Sequence, residues 1–208
     1  FSEENLNTFS TIDSDDDVGL AFQFKGNHRM KLDSSLFLTA SSLVEYTGQD
    51  FSFIERYRAV EFERNWNLQL SDLEGDQLQV RTGLALNRGL KKRLGYSYDR
   101  LDINNGYQGA AHELSGQWED GPYRLRVDAS LLQTEGVRTT RFERHASDVS
   151  RSIGSIRIGF KDLRERNEFF TSSDSLAASS YGWYQWETYV ASKDTANWNY
   201  RLFRDRED

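Results

Sequence analysis

The chain has no cysteine and only one proline, Pro122, among its 208 residues. The absence of cysteine excludes disulfide bonds and thiolate metal sites. The scarcity of proline favours continuous β ladders, because proline cannot donate the backbone hydrogen bond that a central strand needs. No apolar run approaches the roughly 18 residues of a transmembrane helix. Transmembrane strands are not excluded by this, since each shows only about ten residues of alternating polarity.

Positive charge is also limited. The net charge is −7, so no overall field attracts nucleic acid and no nucleic-acid partner is expected. The 26 basic residues are mostly arginine. A guanidinium group pairs with a carboxylate in a planar, bidentate geometry, so the arginine bias predicts ordered ladders of Arg with Glu or Asp. Aromatic residues make up 13% of the chain, which argues against disorder.

Alternation of apolar and polar residues is the main structural signal. Even-numbered residues from Met30 to Tyr46 are mostly apolar, and the odd-numbered ones are mostly polar. A helix would spread these positions around its whole circumference, so the pattern predicts a strand. One strand over 30–46 would be roughly 55 Å long at about 3.3 Å per residue. The same alternation is seen over 18–25, 54–70, 78–86, 94–98, 123–131 and 156–160.

Turn-forming residues separate the alternating segments. Glycine, asparagine and aspartate adopt the backbone angles of tight turns, and they cluster at 26–27, 47–50, 74–76, 104–106, 119–122, 135–136 and 193–197. The whole pattern predicts an all-β fold, an antiparallel meander of about ten to twelve long strands that forms all or part of an outer-membrane β-barrel.

The ends of the chain lead to an expectation about its domains. The sequence opens at Phe1 without an initiator methionine and ends in a charged run with no turn. We therefore expect a fragment of a longer protein. Within it we expect an acidic N-terminal segment over 1–17 and a single antiparallel β domain over 18–208.

One acidic run has the spacing of calcium ligands. Asp13, Asp15 and Asp17 alternate as in a calcium-binding loop, which also needs glycine at its sixth position and glutamate at its twelfth. Those positions hold Val18 and Phe24. An acidic turn before a strand is therefore the preferred interpretation, with calcium binding as the alternative.

Residues for catalysis or other metals do not group in the sequence. The three histidines lie far apart, without the paired spacing of a metal site; they are His28, His112 and His145. Glu61, Glu63 and Glu143 are candidate catalytic carboxylates, but each is close in sequence to arginine, which indicates members of salt ladders. No motif for a cofactor occurs. We expect a protein that is not an enzyme and uses no cofactor.

The densest aromatic cluster consists of Tyr181, Trp183, Tyr184, Trp186 and Tyr189. On a strand, Tyr181, Trp183 and Tyr189 face one way, and Tyr184 and Trp186 face the other. Aromatic residues on both faces are typical of a membrane-interface belt, where a ring is half in water. A platform for stacking carbohydrate and the core of a sandwich are the alternatives.

Three segments resemble those of a known group of proteins. The segment RYRAVEFERNWNL at 56–68, the acidic turn and strand start over 8–19, and the strand–turn–strand over 186–206 resemble parts of large, poorly characterised outer-membrane β-barrel proteins of Bacteroidota-type bacteria. The resemblance implies an antiparallel barrel, or the long β region attached to one, and no catalytic residues. Such barrels commonly end in an aromatic residue, whereas this chain ends at Asp208.

These observations lead to one main functional hypothesis and two alternatives. We expect a non-enzymatic protein of the Gram-negative cell envelope, located in the outer membrane and serving transport, secretion or envelope architecture. Its partners would be outer-membrane lipid and other envelope proteins. The first alternative is a soluble β-sandwich at the cell surface or in the periplasm that binds glycan or protein through the aromatic cluster. The second is a carbohydrate-active enzyme on the same scaffold.

Overall fold

In a computed structural model of the chain, twelve strands account for most of the residues that the structure describes. The described residues are 2–3, 18–49, 51, 66, 68, 75–104, 106–136, 139–170, 180–192 and 199–207. The strands are β1 (Ser2–Glu3), β2 (Val18–Gly19), β3 (Ala21–Lys31), β4 (Leu36–Thr47), β5 (Gln77–Arg88), β6 (Lys92–Ile103), β7 (Tyr107–Asp120), β8 (Tyr123–Glu135), β9 (Thr139–Ile153), β10 (Ile156–Phe170), β11 (Tyr181–Ser192) and β12 (Asn199–Glu207).

Ten of the strands form one antiparallel meander. Strands β3 to β12 pair in sequence order, so that each strand pairs with its neighbours along the chain within this sheet. They contain from 9 to 15 residues, whereas strands of globular proteins usually contain five or six. Strands β1 and β2 form a separate two-stranded pair. The predicted all-β antiparallel meander of long strands is confirmed.

The register sorts the side chains onto two faces, because directly opposed residues of antiparallel strands point to the same side. One row across the sheet joins Leu84, Tyr96, Leu114 and Ala129. The row beside it, on the other face, joins Gly83, Ser97, Glu113, Ser130 and Arg144. We call these the apolar face and the polar face.

The two ends of the sheet differ in the length of their connections. At one end, which we call the hairpin end, connections of two to six residues follow β3, β5, β7, β9 and β11. The other end, which we call the loop end, has the two longest connections, 48–76 and 171–180. The hairpin end therefore has only short connections, whereas the loop end carries two long ones.

The prediction of one strand over 30–46 is wrong, because a hairpin interrupts it. The chain turns between Lys31 and Leu36, and the Leu32 amide donates to the Leu36 carbonyl at 2.9 Å. Met30 then lies directly opposite Leu38. Even-numbered residues stay on one face on both sides of the turn, so the alternation continues although the strand direction reverses.

The predicted turn at Gly26 and Asn27 is also wrong, since both residues lie inside β3. Gly26 pairs with Ser42, and a Cβ atom on Gly26 would be 2.6 Å from the Ser42 Oγ. This glycine allows close packing within the sheet. By contrast, Gly106 and Gly121 are in predicted turns and have positive φ angles of 100° and 53°.

The sheet is open within the part of the chain that the structure describes. Strands β3 and β12 form its two edges, and each pairs with a single neighbour. A closed barrel is thus not present among these residues.

Candidate functional site

The apolar face exposes large side chains instead of burying them. Leu84 on the inner strand β5 is 54% exposed, and Phe24 on the edge strand β3 is 63% exposed. Soluble monomers rarely expose contiguous apolar patches of more than a few hundred Å². The exposed apolar residues of this face include Phe22, Phe24, Met30, Leu78, Leu84, Leu86, Leu94, Tyr96, Leu114, Trp118, Tyr123, Leu125, Val149, Ile158, Phe160, Tyr200 and Leu202.

Aromatic rings beside cations mark the hairpin end of the apolar face. The Lys92 Nζ lies 4.0 Å from the centroid of the Trp118 ring, and the Arg151 guanidinium lies 5.3 Å from that of Tyr123. Lys92 also forms an ion pair with Asp120 at 3.3 Å. Rings with an apolar body and a wet edge, next to long basic side chains, are typical of the boundary between hydrocarbon and lipid headgroups.

Charged side chains occupy the same face toward the loop end, and they are paired. The Arg164 Nε donates to Asp162 at 3.1 Å, and the His145 Nε2 lies 3.6 Å from the same carboxylate. On β6, Arg100 contacts Asp102 two residues further along at 2.7 Å. On β6 and β10, the apolar face therefore changes toward the loop end from exposed hydrocarbon to paired charges.

The polar face carries the ladders that the arginine bias predicts. The buried Asp99 accepts hydrogen bonds from the Gln79 Nε2 at 3.0 Å and the Arg81 Nε at 2.6 Å. On β9 and β10, Arg144 donates to Glu165 at 2.9 Å. Carboxylates inside a protein need such partners, because an unpaired buried charge is costly. This face is thus arranged for a polar environment.

Small residues leave room in the middle of the polar face. A groove of about 460 Å³ runs over this region, with Glu113, Asp128 and Arg144 in its lining. Its other lining residues include Ser41, Gly83, Gly95, Ser97, Ser115 and Ser130. A groove of this size with several polar partners is suited to ordered water.

A small hydrophobic core lies on the polar face near the loop end. Trp66, from the long connection between β4 and β5, is 4% exposed and packs with Leu101, Ile103, Tyr107 and Leu132. The Tyr107 hydroxyl donates to the Trp66 carbonyl at 2.5 Å. Sequence analysis missed this core. The sequence signal for it was a group of three apolar residues at strand positions where the alternation otherwise places polar ones: Leu101, Ile103 and Leu132.

The predicted aromatic cluster lies on β11, where the structure divides it between the two faces. Tyr184 and Trp186 pair with Arg164 and Asp162 and lie on the apolar face. Tyr181, Trp183 and Tyr189 lie on the polar face. The alternation expected from the sequence is confirmed. The five rings therefore do not form one continuous surface.

Other predicted site residues fall outside the described residues. These are the calcium candidates Asp13, Asp15 and Asp17 and the carboxylates Glu61 and Glu63. The alternating segment 54–70 and the resembling segment 56–68 are described only at Trp66 and Leu68. The calcium alternative stays a prediction.

The histidines and the remaining candidate carboxylate are described. His28, His112 and His145 lie on three different strands, β3, β7 and β9. Glu143 forms an ion pair with Arg141 at 2.5 Å, as a salt-ladder member does. Within the described ranges, no group of three or more His, Cys, Asp or Glu side chains is arranged to hold a metal ion.

Gly159 on β10 allows the ring of Tyr189, from the aromatic cluster on β11, to extend across a strand. Tyr189 on β11 lies over Gly159 on β10, and its hydroxyl donates to the Asp148 Oδ1 on β9 at 2.9 Å. A Cβ atom on Gly159 would overlap the phenol ring. The glycine is thus required for the contact that ties three strands together.

We predict that Gly159→Val destabilises the sheet by about 1–3 kcal/mol, the usual cost of overpacking. Denaturant unfolding measures this loss of stability. Gly116→Val is the matched control on β7, because a Cβ there would have no neighbour closer than 3.9 Å. Equal stability of the two variants would contradict the packing argument.

No helix among the described residues is long and apolar enough to cross a membrane. Comparison with known protein families, with curated proteins and with solved structures found no match for this chain.

Proposed function

We propose that this chain forms the wall of a β-barrel in the outer membrane of a Gram-negative cell envelope. Its apolar face contacts lipid, and its polar face encloses a wet interior. The role is transport, secretion or envelope architecture, without catalysis. One observation carries the proposal: most of the exposed large apolar side chains lie on one face of the sheet, while small polar residues and the paired Asp99 and Glu165 carboxylates lie on the other.

Connection lengths support the same assignment. Barrels of the outer membrane have short turns on the periplasmic side and longer loops on the outside. Here the hairpin end has connections of two to six residues, and the loop end has 48–76 and 171–180. The hairpin end is accordingly the periplasmic side in this proposal. The aromatic rings Trp118 and Tyr123 with their cations would lie at the periplasmic lipid headgroups.

Insertion into lipid requires that both edges of the sheet find partners. An unpaired backbone group in hydrocarbon costs several kcal/mol, so open edges do not occur there. Strand β3 runs toward the hairpin end and β12 toward the loop end. They therefore have the relative direction needed to pair antiparallel with each other. Ten strands is within the range of bacterial barrels, which have even numbers of strands.

Glycan binding by a soluble sandwich is the alternative. It would use Tyr181, Trp183 and Tyr189, which share the polar face. In a sandwich, a second layer would cover the apolar face. The two proposals differ in the environment that they assign to Trp118, which is 50% exposed on the apolar face.

Tryptophan quenching tests the proposal. In phosphatidylcholine vesicles, lipids brominated near the headgroup should quench Trp118 strongly, because its ring would contact lipid directly. Trp183 faces the opposite side of the sheet and should respond to aqueous acrylamide instead. The variants Trp118→Phe and Trp183→Phe assign the two signals, since each removes one ring.

The result that would overturn the proposal is a protein that stays in solution without detergent and does not float with vesicles. Acrylamide quenching of Trp183 that an oligosaccharide relieves in such a protein would favour the glycan-binding sandwich. A membrane barrel requires detergent for extraction and gives lipid quenching that Trp118→Phe removes.

A further inference from the structure

Three cations lie close together on the polar face of β3 to β6, at the hairpin end. One row of directly opposed residues on this face consists of Lys31, Phe37, Asn87 and Arg93. Arg29 lies on the same face of β3, and its guanidinium carbon is 4.1 Å from the centroid of the Phe37 ring. Arg29 therefore extends over β4, and Asn87 on β5 lies between Arg29 and Arg93. We call Arg29, Lys31 and Arg93 the cation cluster.

The cation cluster has no carboxylate partner within the part of the chain that the structure describes. Other arginines of the polar face do have one, since Arg81 contacts Asp99 and Arg144 contacts Glu165. The surrounding polar-face residues of β3 to β6 are uncharged; besides Phe37 and Asn87 they are Asn27, Thr39, Ser41, Gly83, Ala85, Gly95 and Ser97. The cluster therefore carries uncompensated positive charge.

Acidic residues on the neighbouring elements are already engaged. On β7 and β8, Glu119 pairs with Arg124 at 2.7 Å, and Asp128 pairs with Arg126 at 2.8 Å. In the turn between β3 and β4, the Asp33 side chain accepts a hydrogen bond from the backbone amide of the following residue. Like charges held close together repel each other. A bound anion would remove this repulsion within the cation cluster.

We propose that the cation cluster binds the phosphate group of a small phosphorylated solute. Phe37, over which the Arg29 guanidinium lies, and Arg93 are two strand spacings apart, or roughly 10 Å. A phosphate above Asn87 is therefore within reach of both arginine side chains and of the Asn87 amide. Guanidinium groups bind phosphate oxygens through paired hydrogen bonds. A phosphate monoester has a charge of about −2 near neutral pH, which matches three cations better than the single charge of a carboxylate does.

The groove on the polar face provides space for the rest of the solute. Its lining includes Arg93 together with Thr39 and Gly95, and its volume of about 460 Å³ is in the range of small-molecule sites. The hydroxyl groups of Ser41 and Ser97 further along the groove suit a polar, hydroxyl-bearing body. The inference goes beyond the proposed function, because it depends on the polar face of the sheet alone. In the proposed barrel, the site would lie in the wet interior near the hairpin end.

Titration calorimetry of the full chain tests the proposal with inorganic phosphate, glucose 6-phosphate and glucose. We expect both phosphates to bind and glucose not to bind. Arg29→Gln and Arg93→Gln should each weaken the binding of phosphate roughly tenfold or more, because each removes charged hydrogen bonds. Arg88→Gln is the matched control, since it removes the same charge next to Asn87 on β5 but from the apolar face. Its affinity should be unchanged, and equal weakening by all three variants would overturn the proposal, because it would indicate only diffuse attraction to a basic surface.

Asn87→Asp gives a second, independent result. It places a carboxylate between Arg29 and Arg93 with almost no change in side-chain size. We expect this variant to lose the binding of phosphate and to unfold at a higher denaturant concentration than the unchanged protein, because its carboxylate occupies the site and relieves the repulsion. Unchanged phosphate affinity in Asn87→Asp would overturn the proposal. So would the absence of phosphate binding by the unchanged protein.

Discussion

Replacing Trp66 with alanine is expected to destabilise the protein by about 3–5 kcal/mol, as is usual when a buried tryptophan is truncated. The ring is 4% exposed within the core on the polar face. It lies directly over Gly109, where a Cβ atom would be 2.8 Å from the ring carbon Cε3. Denaturant unfolding measures the loss of stability.

Two further variants make this result specific. Gly109→Ala should also destabilise the protein, because the added methyl group displaces the ring without changing Trp66 itself. Trp118→Ala is the control, since that ring is half exposed on the apolar face and its loss should destabilise the protein much less. If Trp66→Ala and Trp118→Ala lose equal amounts of unfolding free energy, the packing of Trp66 in the core on the polar face does not stabilise the protein.

Placing a charge on the apolar face should have the second large effect. Leu84→Arg is expected to cost about 2–4 kcal/mol in phosphatidylcholine vesicles, because Leu84 would lie near the middle of the hydrocarbon and a guanidinium group is poorly solvated there. The measurement is the free energy of unfolding from vesicles of the variant against the unchanged protein.

Ser97→Arg is the matched control on the other face. Ser97 on β6 lies opposite Gly83, the residue that precedes Leu84 on β5. The Ser97 hydroxyl donates a hydrogen bond to Glu113 at 3.2 Å. An arginine at this position has a carboxylate to pair with and a roomy groove around it, so we expect a change within about 0.5 kcal/mol. Equal tolerance of both arginines would show that lipid does not contact the apolar face, because an exposed leucine in water is easily replaced.

The alternation of residue polarity was sufficient to assign side chains to faces. The residues Leu84, Tyr123 and Ile158 were placed on the apolar side of their strands by their sequence phase, and the register bears this out. This is possible because side-chain direction in a strand is a local property with a period of two residues. The turns at Gly106 and Gly121 were predictable for a similar reason, since positive φ angles favour glycine locally.

The same local rule failed over 30–46, where the alternation of residues did not reveal that the chain reverses its direction. A turn between Met30 and Leu38 returned the even-numbered residues to the same face, so one hairpin had the pattern of one strand. Gly26 shows the converse error, because a glycine that packs against Ser42 has the same sequence signature as a turn.

The sequence by itself determined the strand-rich composition, the alternation and the two chemically different faces. Only the tertiary structure decided that Trp66 packs onto the polar face, far along the chain from Leu132. It also decided which residues of distant strands lie in one row across the sheet, such as Leu84 on β5 and Arg164 on β10. The physical reason is that both depend on the hydrogen-bond register between strands. Each hairpin adds its own offset to that register, and the sum over many hairpins cannot be read from any single segment.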